Sequence, residues 1–223
     1  MTVTKRIKAI ESLVPYGTRL LDVGSDHALL PISLCLSGRI AEAVISDINE
    51  GPLDSGRRNV ALLCPALKAS FVLSDGFANV KHGSYDTVAI CGMGGELIAR
   101  IINDGGEKAR VPLILQPMTH AEDLRKYLWE NGFEISKELY VSEGRRVYCV
   151  LFVRYTGKNT DYEYCELYLG KEHPPTADYA RYAEKILNAA EKRLQGCLHS
   201  DDRLGALAAE KIVAEAKSYI TTH

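Results

Sequence analysis

Apolar and polar residues follow one another along the first two thirds of the chain in blocks that predict helices and strands in turn. Short apolar runs closed by glycine or an acid are typical of buried strands, and apolar residues three and four positions apart are typical of helices. A short amphipathic helix over 4–14 opens the chain. The predicted strands are 19–24, 42–47, 70–76, 85–91 and 111–117, and the predicted helices between them are 27–38, 51–63, 96–101 and 121–132. Such alternation predicts an α/β fold, a parallel sheet with helices on both faces.

The pattern changes in the last third of the chain. Two further strands, at roughly 133–141 and 146–155, flank a Ser-Glu-Gly-Arg hairpin signal at 142–145. From about residue 158 strand residues thin out, and apolar stripes at helical spacing remain over 179–197 and 204–220. Joined by a polar link, they predict an antiparallel helical hairpin. We therefore expect an α/β domain over 1–157, closed by an antiparallel strand pair, and a helical domain over 158–223.

Composition excludes several classes of protein. The 223 residues are 46% apolar and carry a net charge of -2, so a disordered chain is excluded. Because no apolar run approaches the ~20 residues that a bilayer needs and no secretory signal opens the chain, we expect a cytoplasmic protein without a membrane partner. The six cysteines are scattered without a C-x-x-C pair, so we expect neither disulfides nor a metal site. A phosphate-binding surface must be local; the candidates are Lys5/Arg6/Lys8, Arg57/Arg58, Arg125/Lys126 and Arg145/Arg146.

Each of the first five predicted strands ends in polar or glycine-rich residues. These ends are Gly24-Ser25-Asp26-His27, Asp47, Asp75-Gly76, Gly92-Met93-Gly94-Gly95 and Gln116-Pro117. A single such loop is an ordinary turn. Five in order predict a ligand site, because ligands of open α/β sheets bind at the carboxyl ends of the strands.

The residues at these ends favour a nucleoside that carries no phosphate. The chain lacks both G-x-G-x-x-G and a phosphate-binding P-loop, so dinucleotides and nucleoside triphosphates are disfavoured. Asp47 suits the hydroxyls of a ribose, and Asp75 suits an adenine amine. With Asp22 and Asp26 these acids form a rim that attracts a cation. S-adenosylmethionine, a nucleoside with a positive sulfur, fits this chemistry.

The order of motifs resembles the class I methyltransferases. More specifically, the chain resembles the bacterial family that methylates N1 of the adenine at tRNA position 22, through RLLDVGSDHALLPI, SDINEGPL, SDGF, ICGMGGELI and LILQP. The match spans roughly 6–155, and the predicted helical hairpin stands where that family carries a coiled-coil-like domain. Two positions depart from the family pattern: Met118 stands where Asn usually follows Gln-Pro, and Cys149 where an acid often follows Tyr.

The resemblance implies a fold, a cofactor and a partner. The fold is a Rossmann-like class I methyltransferase sheet with a closing antiparallel hairpin and a C-terminal coiled-coil-like hairpin. The cofactor is S-adenosylmethionine, released as S-adenosylhomocysteine, and the partner is tRNA. The residues expected to bind the cofactor are Asp22, Gly24, Ser25, His27, Asp47, Ile48, Asp75, Gly76 and Gly92. Those expected to bind the acceptor adenine are Met93, Gly94, Gln116 and Pro117.

Several of these residues keep a structural alternative. Asp47 can be a helix cap, and His27 can be satisfied by the backbone at a helix start. Met93 can be apolar filler. Gln116, which can pair with an adenine edge, can instead make a backbone contact at the strand end.

Asp26 is the predicted catalytic residue. N1 of adenine has a lone pair that is mostly unprotonated at pH 7, so the transfer needs alignment and not a strong base. A carboxylate that accepts from the exocyclic amine binds the base more strongly as positive charge develops on it. Capping of the following helix is the competing role for Asp26, and the two roles are compatible.

The basic residues of the helical hairpin are candidates for holding tRNA while the target base is turned out of its stack. They are Lys185, Lys192, Arg193, Lys211 and Lys217. Dimerisation is the competing role, so we expect a monomer or a homodimer through these helices. Two other functions stay open: a methyltransferase for another RNA position or a small molecule, and a cofactor-binding interaction protein without enzymatic activity.

Overall fold

The computed structural model describes residues 3–25 and 27–222. The strands are β1 Leu20–Val23, β2 Glu42–Asp47, β3 Lys68–Leu73, β4 Thr87–Gly94, β5 Leu113–Thr119, β6 Phe133–Glu143 and β7 Arg146–Tyr155. The α-helices are α1 Lys5–Leu13, α2 Leu29–Leu36, α3 Glu50–Leu63, α4 Gly95–Gly105, α5 Ala121–Glu130, α6 Tyr164–Leu169, α7 Ala177–His199 and α8 Arg203–Thr222. None of the described helices is both long and apolar enough to cross a membrane.

The strands form one sheet in the order β3-β2-β1-β4-β5-β7-β6. The first five strands are parallel, and β7 is antiparallel to both β5 and β6. This topology confirms the predicted α/β sheet with a closing antiparallel pair. The strand order reverses between β1 and β4, and a crevice for a ligand is expected at their carboxyl ends.

Apolar residues on successive positions of the central strands face opposite sides of the sheet. Leu21 and Ile90 belong to a core on one side, where Ile98 of α4 packs. Leu20 and Ala89 belong to a second core on the other side with helices α1, α2 and α3. The prediction of helices on both faces is thus confirmed.

Two strands extend further than the sequence pattern predicts. Gly92, Met93 and Gly94 lie inside β4, where a loop was expected, and β5 continues past its predicted end at Pro117 to Thr119. Met93 pairs with Pro117 between two register irregularities. A proline has no N–H to donate, so it is tolerated where a ladder is interrupted in this way. The interruption keeps these residues at the edge of the crevice.

The C-terminal part contains the two predicted helices, α7 and α8, and one short helix that was not predicted. That helix, α6, begins with a capping box formed by Glu163 and Glu166. Helices α7 and α8 pack along each other, as the predicted hairpin requires. Tyr179 and Tyr182 of α7 are buried in the same core as the strands of the sheet. The proposed boundary at 157/158 stays a prediction, since the hydrophobic core continues across it.

Arg125 joins the sheet to the helical part and is completely buried. Its Nε donates to Glu138 Oε1 of β6 at 2.9 Å, and its Nη1 donates to the Leu167 carbonyl of α6 at 2.7 Å. The hydroxyl of Tyr182 donates to the Tyr168 carbonyl at 3.0 Å. Arg125 therefore caps the end of α6, and the expectation that it belongs to a phosphate-binding surface was wrong.

Candidate functional site

A cavity of about 290 Å³ lies at the carboxyl ends of β1 and β4, where the strand order reverses. Five residues predicted from the sequence line it: Asp22, Gly24, Ser25, Gly92 and Met93. The remaining lining residues are Arg6, Ile7, Ile10, Leu29, Leu30, Cys91 and Met118. The structure therefore brings together residues from five elements, α1, β1, α2, β4 and β5, and from the loop after β1.

The turn after β1 depends on the glycine at position 24. Gly24 has a φ of 70°, a conformation that costs any other L-residue free energy. A Cβ at this position would overlap the Sδ-bound methyl group of Met93. The N–H groups of Gly24 and Ser25 both donate to the Ser46 carbonyl of β2, at 2.8 and 3.2 Å. The turn is thus held close to β2 and closely covered by Met93.

Asp22 and Ser25 place polar atoms in the interior of this site. The pKa of Asp22 is raised to about 6, chiefly by burial; the Ser25 hydroxyl offsets part of the rise, and the neighbouring Asp47 adds to it. Ser25 Oγ is itself buried, and no partner among the described residues meets both the distance and the angle of a hydrogen bond. Because a buried hydroxyl without a partner is costly, this pair suits a polar ligand that supplies one.

The ends of β2 and β3 form a more open rim beside the cavity. Asp47 Oδ1 accepts from the Asn49 N–H at 2.8 Å, and Asn49, not Asp47, is the N-cap of α3. Ile48 next to it is 61% exposed, which is high for an apolar side chain. Asp75 is exposed, and Gly76 follows it with a φ of 53°. These residues do not line the cavity itself.

The loop between β1 and α2 is conformationally strained. His27 and Ala28 have φ values of 61° and 58°, which are rare for residues other than glycine. The His27 carbonyl accepts from Asn59 Nδ2 of α3 at 3.0 Å. Asp26, the predicted catalytic residue, lies outside the described residues. Its role stays a prediction.

Gln116 is fully buried, and both ends of its amide are occupied. Its Oε1 accepts from Arg6 Nη1 at 2.8 Å, and its Nε2 donates to the Pro117 carbonyl at 2.9 Å. The backbone contact that competed with adenine pairing is therefore present. Gln116 also lies 3.5 Å from Met118 Sδ, so it supports the cavity wall from behind.

Arg6 is the site residue that the sequence pattern did not single out. It had been grouped with Lys5 and Lys8 as a basic surface cluster, yet it lines the cavity, 5.6 Å from the ring centre of Tyr148. The signal was the helical register of α1. Residues 6, 10 and 13 share one helix face, and Ile10 and Leu13 are buried, so Arg6 faces the sheet.

A second cavity, of about 380 Å³, lies between the end of β5, the start of α5 and the helices α6, α7 and α8. Pro117, which was predicted to bind the acceptor, lines this cavity. Met118 lines both cavities. Gly94 lines neither and is the N-cap of α4.

One group of possible metal ligands occurs among the described residues. The candidate ligand atoms of Glu96, His120 and Asp123 lie within 4.8 Å of one another on the surface. Glu96 and Asp123 stand in the first turns of α4 and α5. Acids at helix N-termini are stabilised by the helix dipole without any ion, so this group does not by itself indicate a metal site.

Comparisons with known proteins agree with this geometry. Residues 3–151 match the family described as "Methyltransferase domain". The tRNA (adenine(22)-N(1))-methyltransferase of Bacillus subtilis (strain 168) is 31% identical over 172 residues, which are 76% of this chain and 72% of that protein.

Two solved structures share nearly the whole fold. The B. subtilis M1A22 tRNA methyltransferase TrmK superposes with a TM-score of 0.84 at 25% identity, covering 98% of this chain and 99% of that one. The Streptococcus pneumoniae protein Sp1610, in complex with S-adenosyl-L-methionine, superposes with a TM-score of 0.82 at 31% identity, covering 95% of this chain and 100% of that one. The chain therefore belongs to the methyltransferase-domain family and, within it, to the tRNA (adenine(22)-N(1))-methyltransferases.

Proposed function

We propose that this protein transfers a methyl group from S-adenosylmethionine to N1 of the adenine at position 22 of tRNA. The observation that carries the proposal is the cavity at the β1–β4 switch point, in which Gly24 makes a left-handed turn and the buried hydroxyl of Ser25 lies beside the buried carboxyl of Asp22. The B. subtilis relative is named for this reaction, and Sp1610 was solved with this cofactor. A tRNA substrate also agrees with the cytoplasmic location expected from the sequence.

The residues of the rim and the cavity fit the parts of the cofactor. The Asp47 carboxylate suits the ribose hydroxyls as an acceptor, and the exposed Ile48 suits the face of a purine ring. Asp75 and the backbone of Gly76 suit the edge of the adenine. In the cavity, Asp22 and the Ser25 hydroxyl suit the charged amino-acid end. When bound, S-adenosylmethionine supplies the methyl group on a positive sulfur and leaves as S-adenosylhomocysteine.

The protein's contribution to the transfer is alignment. Met93 and Met118 form an apolar wall at the ends of β4 and β5, and Gln116 holds Met118 in place. No residue of this wall is a strong base, and none is needed, because N1 of adenine already carries a free lone pair. Holding reactants in line can lower a barrier by ~7–11 kcal/mol.

Asp26 remains our candidate for the group that accepts from the exocyclic amine of the target adenine. On that assignment, Asp26→Asn lowers kcat roughly 10- to 100-fold because the amide lacks the charge that favours the cationic product. The cofactor Kd stays within about threefold of the wild type. Radiolabelled methyl transfer and calorimetry measure the two quantities. An unchanged kcat would exclude Asp26 from this role; the N-cap of α2 is Ala28.

The experiment that tests the function uses purified protein, labelled cofactor and two tRNA transcripts that differ only by adenine or guanine at position 22. We expect N1-methyladenosine, identified by nucleoside mass spectrometry, in the first transcript alone. Equal methylation of both transcripts would point to another RNA position. Cofactor binding without any methylation of RNA would favour a small-molecule acceptor or an interaction protein.

A further inference from the structure

The second cavity is a cleft between the catalytic sheet and the helical hairpin. One wall comes from β5 and β7, through Met118 and Tyr148, and the opposite wall comes from α7. Its lining is mostly apolar and aromatic, which is the surface that a flat purine base prefers. At about 380 Å³ it lies within the range of small-ligand sites.

The cleft adjoins the cofactor cavity. Met118 lines both, and its sulfur lies 3.5 Å from the amide nitrogen of Gln116. A base in the cleft would therefore lie beside Met118, the side chain that also borders the cofactor cavity. Met is the side chain best able to move aside without a large cost in packing.

The mouth of the cleft carries two cations from one side of α7. Arg193 Nη1 donates to the Tyr168 hydroxyl at 3.0 Å, and Lys185 Nζ lies 5.9 Å from the ring centre of Tyr182. Neither forms a salt bridge with another described residue, so both charges are available to an anion. The cleft's acid, Glu122, stands in the first turn of α5, where the helix dipole favours a negative charge.

We propose that this cleft receives the nucleotide that is methylated, with its base between Met118 and Tyr148 and its flanking phosphates on Lys185 and Arg193. The inference rests on the proposed function and adds to it that α7 completes the acceptor site. An apolar slot with two cations at its mouth matches a neutral base flanked by phosphates. It also gives a turned-out base the contacts that offset its unstacking.

The first test compares three lysine or arginine variants of the same helix. Lys185→Ala and Arg193→Ala each remove a charge from the cleft. Lys192→Ala removes one from a neighbouring groove, the outer groove, which is lined by Asn188, Ala189, Glu191, Lys192 and Gln195. We expect the KM for tRNA to rise about tenfold for the first two, as the loss of a charge-assisted contact predicts. Lys192→Ala should change it less than threefold. Equal effects of all three variants would show that the basic residues of α7 bind tRNA without distinction between cleft and groove, and would overturn the proposal.

The second test fills the cleft. Ala189 is an exposed residue of α7 that lines both the cleft and the outer groove, whereas Asn188 beside it lines only the outer groove. We expect Ala189→Trp to reduce kcat/KM for tRNA at least 100-fold without changing the cofactor Kd, and Asn188→Trp to have little effect. Normal methylation by Ala189→Trp would show that the cleft serves some other occupant.

A binding readout separates this inference from the proposed function. A tRNA with 2-aminopurine at position 22 should gain fluorescence when it binds the wild-type protein, because the base unstacks. With Ala189→Trp this gain should be lost, although fluorescence anisotropy should still show that the tRNA binds. That result would support the cleft even if no methyl group were transferred. The same gain with Ala189→Trp would contradict it.

Discussion

Asp22 keeps its carboxyl in an environment that favours the neutral form. Burial raises its pKa to about 6, above the ordinary value of 3.8. The folded protein therefore binds a proton that the unfolded chain has already released between about pH 4 and 6, and stability falls as pH rises through this range. A cationic ligand would favour the ionised form of the carboxyl instead. Asp22 therefore lowers the stability of the fold above about pH 6 and favours binding of a cation.

Replacing the Asp22 carboxyl by an amide should raise the stability of the fold and weaken cofactor binding. We expect Asp22→Asn to be more stable than the wild type by about 2–3 kcal/mol at pH 8, because two units of pKa correspond to this free energy, and to show no gain at pH 4. Cofactor affinity at pH 8 should fall at least tenfold. Urea unfolding and calorimetry measure the two effects.

Asp86 provides the control of opposite sign. Its hydrogen bonds and charge interaction with Arg19 lower its pKa, so its contribution to stability is present above the unfolded pKa and lost as pH falls. Asp86→Asn should therefore lose stability at pH 8 and not gain it. If both variants responded to pH in the same direction, the burial argument for Asp22 would fail.

Gly24 and Met93 offer a paired test of the turn after β1. Gly24→Ala should weaken cofactor binding, because the left-handed backbone costs an alanine about 1–2 kcal/mol and the new Cβ overlaps Met93. Gly24→Ala combined with Met93→Ala should recover the part due to overlap and not the part due to backbone strain. Calorimetric Kd values for the two single variants and the double variant check this. If the double variant bound the cofactor no more tightly than Gly24→Ala, overlap with Met93 would be excluded as a cause.

The sequence predicts the residues of the site that follow strands, and misses those that depend on packing. Gly24 follows a predicted strand and lines the cavity, whereas Asp47 and Asp75, predicted from the same pattern, lie on the rim and their roles stay predictions. Arg6 contacts Gln116 across 110 positions of the chain, so its role depends on how α1 docks. A basic residue beside two lysines gives no local sign of such a contact.

At the scale of elements, α6 depends on Arg125 more than on its own six residues. Three of its final carbonyl groups accept hydrogen bonds from Arg125 and from the hydroxyls of Tyr140, Tyr179 and Tyr182. Glu138 balances the buried charge at a distance of 2.9 Å. A helix this short has no stability of its own, which is also why its periodicity could not be recognised in the sequence.

Removal of Arg125 should therefore destabilise the junction strongly. We expect Arg125→Ala to lower the free energy of unfolding by about 3–5 kcal/mol, since it leaves the Glu138 charge buried and unpaired. Hydrogen exchange should show the loss first in α6. The surface arginine Arg57, which pairs with the two acids Glu50 and Asp54, is the control: Arg57→Ala should have a far smaller effect. Similar losses for both would mean that burial of Arg125 is not what matters.

At the scale of the whole molecule, the helical hairpin shares the core of the sheet. Tyr140 of β6 lies 4.7 Å, between ring centres, from both Tyr179 and Tyr182. A chain ended at residue 157 should expose this aromatic contact and melt roughly 10 °C or more below the full chain. Calorimetric melting of the two chains measures the difference. Equal melting temperatures would establish the predicted boundary as one between independent units.

Net charge also acts at this scale. With a net charge of -2 the molecule attracts RNA only through local groups. The slope of log affinity against log salt should therefore be shallow for a tRNA-binding protein and should decrease by about one for Lys185→Ala. Fluorescence anisotropy titrations between 50 and 300 mM salt measure it, and an unchanged slope would remove Lys185 from the phosphate contacts.

The side chain shared by the two cavities has a consequence for inhibitor design. A compound that joins a nucleoside head to a planar ring through a short linker would pass Met118, which borders both spaces, in order to occupy them at once. Tethering makes the second binding step intramolecular, so such a compound can bind far more tightly than either half alone. Selectivity over other enzymes that use the same cofactor would then come from the half lodged against α7.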